Sequence, residues 1–447
     1  MSTAASALDR ARHKAYRRLI PLVFLSYVIA YIDRSNVAIA KLTMANDLQF
    51  DNAIFARAAG IFFIGYFLPE ILGPILVERW SARKWISRIM ITWGIIAACT
   101  AAVKTPGQFY TLRFVLGLAE GGFFPAVIVY LNHWFPDRDR AKALAFFIIA
   151  APVAQIISPP LSYPLLRLGT TEVIDGVSTT FPTLLGLVGW QWVYIAWGIP
   201  AVILGFVVLA RLVDRPEQAR WLTPEEKAAL TSELQRERAA LSGTVAHLGL
   251  WQALRNPRVL MLAAANFFVV CGHYGVEFFL PTFLRQWYGL QLGSLVSLVI
   301  LPFMAMLVSQ LVVSWNSDRT RERWWHTALP MYTGALALLL TPLSRGNLAL
   351  SLLCFAVALA GIRSYLAPFY ALPRLFLQGT AAAGSIGLIN AVANLGGFIG
   401  PMAMGEIEKA TGSFHGGITF LAATSATSAT IIVILRAWHL RRPLRSA

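Results

Sequence analysis

Long apolar stretches alternate with short polar loops along the whole of this 447-residue chain. Each stretch can form a helix that crosses the hydrocarbon core of a bilayer, which is about 30 Å thick and requires roughly 20 helical residues. The stretches are too long and too uniformly apolar for the strands of a membrane β-barrel. The sequence therefore predicts twelve transmembrane helices, at about 19–40, 55–77, 85–103, 108–131, 143–166, 190–210, 259–284, 292–315, 327–344, 347–370, 381–404 and 416–436.

Composition and charge support a membrane protein of defined orientation. Hydrophobic residues make up 57% of the chain and charged residues 13%, whereas a soluble domain carries about 25% charged residues. Of the 38 Lys and Arg, 28 lie in the two tails and the even-numbered loops, against seven in the odd-numbered loops, Lys41 among them. By the positive-inside rule this asymmetry predicts that both termini are cytoplasmic. The net charge of +16 then faces the headgroups of the lipid bilayer and not nucleic acid.

The chain divides into two related halves. Its longest polar stretch, about 211–256, leaves six spans on each side and includes a charged run, 225–238, that predicts an amphipathic surface helix. The motif ERWSAR (78–83) follows span two and DRTRER (318–323) follows span eight, with acid and arginines at the same spacing 240 residues apart. Such repeats are typical of transporters that carry their site between two halves. We predict an all-α membrane protein with a tail (1–18), a six-helix bundle (19–210), a linker (211–256), a second six-helix bundle (257–436) and a tail (437–447).

These loop motifs resemble those of the major facilitator superfamily, and further segments resemble its anion:cation symporter branch: YIDRSN (31–36), RKWI (83–86), RFVLGLAEG (113–121), WFP (134–136), DRPE (214–217), WLTPEE (221–226) and NAVANLGGF (390–398). Members of that branch include permeases for phthalate, tartrate, sugar acids and hydroxyphenylacetate. The resemblance implies the twelve-helix fold of that superfamily, alternating access, and import of a small organic carboxylate with protons. It implies no cofactor or metal, a monomer, and a bacterial cytoplasmic (inner) membrane. It also implies that the loop charges gate the two halves: Glu78, Arg79, Arg83, Asp318, Arg319 and Arg323.

Four charged residues in spans one and four are the first candidates for a transport site. A charge at the bilayer centre costs about 2.5–3.5 kcal/mol, so such residues need partners or a watery cavity. Arginine stays protonated and grips a carboxylate with two hydrogen bonds, which makes Arg34 and Arg113 candidates for substrate binding. A coupling proton needs a buried acid close to a cation, as Asp33 and Glu120 are. The resemblance implies the same division of roles. The alternative is an ion-pair network that only joins the two spans.

Uncharged polar residues provide weaker candidates for the same cavity. The resemblance implies substrate contacts for Tyr31 and Tyr66, and Asn390 and Asn394 offer amides from span eleven. Such residues also serve as hydrogen bonds between helices, and this alternative stays open for all four. Glu70, in span two, is expected to have a structural or gating role.

Span seven and span ten of the second half carry charges that are unusual for the branch. His273 and Glu277 are four residues apart and are expected to pair across one helical turn, and Glu277 is a further candidate for proton coupling. Arg363 either pairs with Glu277 or forms a second cation opposite Arg34. Two opposed cations suit a dicarboxylate, and nearby aromatic residues point to an aromatic one such as phthalate. Tartrate or a sugar acid is the alternative substrate.

Two other functional classes fit the sequence less well. A drug:proton antiporter shares the fold but favours acids and aromatic residues over paired arginines in its cavity. A membrane enzyme requires a catalytic signature, and the chain has no metal-ligand spacing, no Gly-x-Ser-x-Gly and no glycine-rich phosphate loop followed by lysine. We therefore predict a transporter and not an enzyme.

Overall fold

A computed structural model describes residues 2–174, 177–242, 255–375 and 379–441. Within these residues twelve helices are long and apolar enough to cross a membrane, and each overlaps one predicted stretch. The helices are α1 (Ser2–Leu48), α2 (Asn52–Arg79), α3 (Ala82–Cys99), α4 (Pro106–Glu120), α5 (Phe123–Trp134), α6 (Asp137–Leu166), α7 (Gly189–Arg211), α8 (Pro224–Ser242), α9 (Pro257–Tyr288), α10 (Leu292–Thr320), α11 (Trp324–Leu340), α12 (Leu348–Ser364), α13 (Leu366–Ala371), α14 (Gly379–Thr411) and α15 (His415–Arg441). Short 3-10 turns cover Thr100–Ala102, Pro216–Gln218, Thr341–Ser344 and Leu372–Leu375.

Helix starts follow local sequence signals. Asp51 caps α2 by accepting a 2.8 Å hydrogen bond from the Ile54 backbone N–H. Thr105 and Gln108 form a reciprocal capping box at the start of α4, where Pro106 occupies the first position. These caps satisfy backbone donors that have no partner within the helix. They account for the short loops between successive spans.

The two halves pack in the same way, which confirms the predicted duplication. In the first half α1 packs on α6, α2 on α4 and α3 on α7, and in the second half α9 packs on α14, α10 on α12 and α11 on α15. The halves meet mainly through two equivalent contacts, α2 with α14 and α6 with α10, and also where α1 approaches α9. The centre of the molecule therefore lies between corresponding faces of the two bundles, as expected for a transporter built from repeats.

The first helix is longer than the sequence predicts. It runs as one helix from Ser2 through the predicted tail, and it is tied at its start by hydrogen bonds from Arg12 to Asp139 and from Lys14 to Glu226 (2.8 Å). The assignment of Lys41 to a loop is wrong, because α1 continues to Leu48 and the Lys41 side chain is buried. The apolar stretch predicts only the part of the helix that lies in lipid. The helix itself extends further where its polar residues form hydrogen bonds or ion pairs.

The linker packs on the first half. Its predicted amphipathic helix is confirmed as α8, which contacts α1. Ahead of it, the indole of Trp221 stacks on that of Trp134 with ring centres 5.3 Å apart, and Trp134 Nε1 donates to the Val213 carbonyl (2.9 Å). The later linker residues 243–254 lie outside the described residues. The exact domain boundaries stay predictions.

We call the end of the molecule that carries the start of α1 the basic end, and the opposite end the far end. Between α6 and α7, at the far end, strands β1 (Thr171–Ile174) and β2 (Val177–Thr180) form an antiparallel hairpin. The ion pairs that join the two halves, among described residues, also lie there. Arg57 Nε is 2.6 Å from Glu406 Oε1, and Lys409 Nζ is 3.3 Å from Asp51 Oδ2. The far end is therefore held closed in this conformation.

Candidate functional site

Spans four and ten, which occupy corresponding places in the two halves, are both interrupted near mid-membrane. Span four breaks at Gly121 and Gly122, and span ten breaks at Tyr365. A proline follows each break by three residues, Pro125 in one and Pro368 in the other. Proline lacks the N–H that would bond the carbonyl four residues back, so it interrupts the helix at this point. Discontinuous spans in corresponding positions mark the binding region of many transporters.

A close crossing of α2 and α4 shapes the first half of this region. A Cβ on Gly117 would lie 2.1 Å from the Phe62 carbonyl oxygen, so only glycine allows the two backbones to approach this closely. The crossing places the Phe62 ring between two cations, 5.4 Å from Arg34 Cζ and 4.7 Å from Arg113 Cζ. Both guanidiniums are buried. The packing of small residues therefore brings the predicted charges of spans one and four together.

Arg34 lies at the centre of the site. Its Nη2 donates to Glu120 Oε1, and its Nη1 donates across the interface between the halves to Tyr274 Oη (3.3 Å). Tyr66 covers the guanidinium with its ring centre 4.7 Å from Cζ, and the Tyr31 ring lies at 5.5 Å. Arg34 Nε is buried without a hydrogen-bond partner among the described residues. The predicted anion site is thus a buried guanidinium with an aromatic lining and one donor still free.

The two predicted proton carriers have different surroundings. Glu120 is the last residue of α4 and is bound to Arg34. Asp33 is buried, and neither of its carboxyl oxygens has a hydrogen-bond partner among the described residues. Arg113 donates from Nε to the Ala58 carbonyl (3.3 Å), while its Nη1 and Nη2 are buried without such a partner. Arg113 and Glu120, as expected from their spacing, do not pair directly.

The second half contributes one pair of titratable side chains and one separate cation. His273 Nε2 lies 3.0 Å from Glu277 Oε2, one turn apart on α9, as the sequence predicts. Arg363 forms no ion pair with Glu277 or any other described acid. Phenols of both halves interact electrostatically with it, Tyr27 and Tyr31 of the first half and Tyr274 and Tyr365 of the second. The predicted Arg363–Glu277 pair is thus absent among the described residues, and the role of Arg363 as a second cation opposite Arg34 stays a prediction.

A chain of uncharged hydrogen bonds lies beside Arg363. Tyr365 Oη donates to Asn266 Oδ1 (2.8 Å), and Asn266 Nδ2 donates to Tyr370 Oη (3.2 Å). Tyr370 Oη in turn donates to Asn390 Oδ1. Asn390 therefore belongs to a helix-to-helix ladder in this conformation. The ladder offers hydroxyl and amide groups to the centre of the second half.

Asn394 contacts the other half instead. Its Nδ2 donates to Glu70 Oε2, which links α14 to α2. This hydrogen bond joins two residues that the sequence analysis considered separately, one as a substrate contact and one as a gating residue. It indicates a contact between the halves for both of them in the closed far-end conformation.

The two repeated loops bond within their own halves. Glu78 Oε1 is 3.1 Å from His133 Nε2, and Asp214 accepts from Ser81 Oγ (2.7 Å) and from the Arg83 backbone N–H (2.8 Å). In the second copy Arg323 Nη1 lies 2.6 Å from Asp318 Oδ1.

The remaining arginines of these loops lie at the surface. Arg319 lies over the Trp315 ring at 5.4 Å, and Arg79 is exposed. The predicted gating role stays a prediction.

Sequence reasoning missed several residues of the central region. Lys41 is buried two turns from Arg34 on α1, with Nζ 4.4 Å from the Phe279 ring centre. Asn266 was missed because a single amide in an apolar span carries no pattern of its own. Pro125 and Pro368 were a usable signal, since prolines recur at nearly the 240-residue spacing of the loop motifs.

The family comparison agrees with this architecture. The profile of the Major Facilitator Superfamily matches residues 23–401. The chain belongs to the major facilitator superfamily. It is a multi-pass protein of the bacterial inner membrane, and a transporter and not an enzyme.

Individual relatives show which members of the superfamily this facilitator is similar to. It is 39% identical to a protein of Agrobacterium vitis named as a tartrate transporter, over 95% of this chain and 91% of that one. It is 37% identical to a protein of Acinetobacter baumannii named as a quinolone resistance transporter, over 90% of each chain. The inward-open structure of the xylose transporter XylE of Escherichia coli shares the fold, with a TM-score of 0.71 at 14% identity, over 93% of this chain and 95% of that one. The facilitator therefore resembles organic-acid permeases over nearly its whole length.

Proposed function

We propose that this facilitator imports a small hydroxylated dicarboxylate of the tartrate class together with protons. The observation that carries the proposal is the placement of Arg34 and Arg363 on opposite halves, the first bound to an exchangeable acid and the second without an acid partner among described residues. A dicarboxylate that binds both cations joins the halves, and its binding energy favours the closed, loaded state.

The first carboxylate exchanges with Glu120. In this conformation Glu120 holds Arg34, so an incoming anion and Glu120 compete for one guanidinium. Protonation of Glu120 removes its charge and releases Arg34, whose hydrogen bonds then pass to the substrate carboxylate. Proton uptake and anion binding become two parts of the same exchange. Asp33, whose oxygens have no hydrogen-bond partner among the described residues, carries a proton beside Arg113 without breaking an ion pair.

Hydroxyl recognition distinguishes the tartrate class from phthalate. The ladder of Asn266, Tyr365 and Tyr370 provides donors and acceptors next to Arg363. A substrate hydroxyl can hydrogen-bond to the groups of this ladder, whereas an aromatic ring offers no donor or acceptor to them. The 39% identity to the Agrobacterium vitis protein also supports tartrate over phthalate.

Alternating access follows from the contacts between the halves. The closed far end depends on the surface ion pairs Arg57–Glu406 and Lys409–Asp51, neither of which requires substrate. With the orientation predicted from the charge distribution, the closed far end faces the side opposite the cytoplasm. Reopening of the far end requires these contacts to break while the loaded site holds the halves together at the centre.

Uptake by proteoliposomes tests the proposal. Wild-type protein is expected to accumulate labelled tartrate under an inward proton gradient. Arg34→Ala is expected to lose binding and transport, while Asp33→Asn is expected to retain tartrate counterflow and to lose acceleration by the gradient. Arg436→Gln, on the surface near Trp325, is the matched control and is expected to behave as wild type.

Three outcomes would contradict parts of this scheme. Normal transport by Arg34→Ala would refute the anion site. Full gradient-driven uptake by Asp33→Asn would move the proton to Glu120 or Glu277. Transport of phthalate with no transport of tartrate would restore the aromatic substrate.

A second candidate function, export of an amphiphilic drug, is favoured by the 37% identity to the Acinetobacter baumannii protein. The two candidates differ in their charge requirement. A quinolone that inhibits tartrate counterflow in wild type, and whose own binding does not require Arg34, would indicate a separate drug site. Gradient-driven efflux of the quinolone without tartrate transport would replace the first proposal by the second.

A further inference from the structure

A groove of about 950 Å³ lies on the outside of the first half, away from the central site. It runs between α1 and α7 at the basic end, and part of the linker closes one side with Trp221. Arg18 and Arg211 both line its mouth. We propose that this groove is a binding site for an anionic phospholipid, with the lipid phosphate on the two arginines and an acyl chain along the apolar floor.

The charges of the groove are arranged differently from those of its surroundings. Neighbouring cations at the start of α1 are tied to acids, Arg12 to Asp139 and Lys14 to Glu226. Arg18 and Arg211, by contrast, have no acid partner among the described residues, and Arg18 lies over the Trp221 ring at 5.3 Å. Two exposed guanidiniums at one mouth, both uncompensated, form a receptor for a phosphate anion.

The floor of the groove has the chemistry and depth of a lipid chain site. Leu25 lies seven residues deeper than Arg18 on α1, and Ile203 lies eight residues deeper than Arg211 on α7. At about 1.5 Å per residue, the apolar surface extends roughly 10–12 Å below the cations. Leu25, Ile203 and Phe206 each expose about half of their surface there. A cationic mouth above an apolar wall matches a phosphate joined to an acyl chain, and free phosphate would leave that wall unused.

The position of the groove also fits a lipid. Charge distribution predicts that the basic end faces the cytoplasm, where anionic lipids attract lysine and arginine at about 1 kcal/mol for each residue near the surface. Both helices and the linker segment belong to the first half, so the site persists while the halves move. A bound lipid would fix the linker to the membrane face of this half throughout the transport cycle.

Lipid titration of the detergent-purified full-length protein tests the proposal by native mass spectrometry. Phosphatidylglycerol is expected to bind wild type about thirtyfold more tightly than it binds Arg18→Gln/Arg211→Gln, about fivefold for each cation. Phosphatidylcholine is expected to show no such difference. The control is Arg258→Gln/Arg436→Gln, which removes two arginines that also lie over tryptophan rings at the basic end of the second half. This control is expected to keep the wild-type preference.

Two further arms separate the possible explanations. Val207→Trp fills the apolar floor and leaves both arginines in place, so it is expected to lose phosphatidylglycerol binding as well. Val207→Trp also tests the site independently if the double arginine variant fails to fold. Glycerol phosphate is expected not to compete with the lipid. Retained lipid preference in either variant, or equal competition by glycerol phosphate, would overturn the proposal.

Discussion

Spans four and ten are built on one plan but place opposite charges at their interruptions. In each, a proline ends a helix near the middle of the membrane. The end of a helix carries unbonded carbonyls and a partial negative charge. Arg363, in the last turn of α12, complements that charge, whereas Glu120, the last residue of α4, is opposed by it. Glu120 therefore depends on Arg34, and Arg363 depends on no acid.

Under the proposed function, this difference divides the tasks between the two halves. The first half has cations and acids in nearly equal number, and they lie in contact or close to one another. A proton or a substrate anion can therefore replace one of these side chains as the partner of another. The second half has the His273–Glu277 pair, a set of hydroxyls and amides, and Arg363 without an acid partner among the described residues, so on this proposal it recognises the substrate. On this proposal the common scaffold serves coupling in the first half and recognition in the second.

The largest expected effect comes from the Arg34–Glu120 pair. Arg34→Ala is expected to weaken tartrate binding about 100-fold or more, because truncating one member of a buried charge pair costs about 2–5 kcal/mol. Arg34→Ala/Glu120→Gln should recover fold stability but not binding, since it removes the unpaired acid along with the cation. Binding by calorimetry and melting temperature measure the two effects. Recovery of binding by the double variant would show that Arg34 does not contact the substrate.

Removal of the second cation tests the recognition half. Arg363→Gln is expected to weaken tartrate binding about tenfold, because a charge-assisted hydrogen bond contributes about 1.5–3 kcal/mol. A monocarboxylate analogue should bind both proteins equally. Calorimetric titration with both ligands gives the comparison. An equal loss for the two ligands would mean that Arg363 supports the fold and does not contact the second carboxylate.

Backbone strain at the two interruptions differs as well. Gly122 has φ +85° and packs against the Pro69 carbonyl, whereas Tyr365 has helical angles. Gly122→Ala is expected to cost about 1–2 kcal/mol from the left-handed backbone alone. It should also slow transport. Gly186→Ala is the matched control, since Gly186 has φ +75° and open space around it. Equal transport rates for both variants would separate the span-four break from function.

The far-end ion pairs are expected to have a smaller effect. Arg57→Gln/Lys409→Gln removes two exposed pairs, each contributing about 0–1 kcal/mol. The opened state should rise in population by a few-fold. The population of the opened state is measured by labelling Ala56→Cys with an impermeant maleimide, in a protein whose three native cysteines are replaced by serine. Ala56 reports on opening because it is buried against Gly405 when the far end is closed. An unchanged labelling rate would show that packing alone closes this end.

The smallest expected effect concerns the linker, which packs on the first half. Burial of Glu226 opposes its ionisation, but hydrogen bonds from Lys14 and the Thr223 backbone N–H outweigh this and lower its pKa. A lowered pKa contributes stability above the ordinary value of 4.5 that is lost as the pH falls through the lowered value. Glu226→Gln should therefore melt a few degrees lower than wild type at pH 7, with the gap closing in acid. A difference in melting temperature that does not change with pH would show that Glu226 stabilises the fold by packing and not by its charge.

Local patterns were enough to predict most of the fold. Apolar length placed twelve spans correctly, since lipid leaves a chain few other structures, and the repeated loop motifs at residues 78–83 and 318–323 revealed the duplication. The helical spacing of His273 and Glu277 predicted their contact, which is 3.0 Å in the structure. Lys41 was assigned to the wrong environment, because its neighbours are contributed by α2 and α9.

The sequence determined that charges lie inside the membrane, and that arginines and acids share spans one and four. It could not determine which charges pair, because the partners of a helical side chain come from helices far away along the chain. Tertiary packing bound Arg34 to Glu120, joined Asn394 to Glu70 and left Arg363 without an acid partner among the described residues. The physical reason is that residue type and spacing decide which groups need a partner, whereas the approach of separate helices decides which partner is within reach.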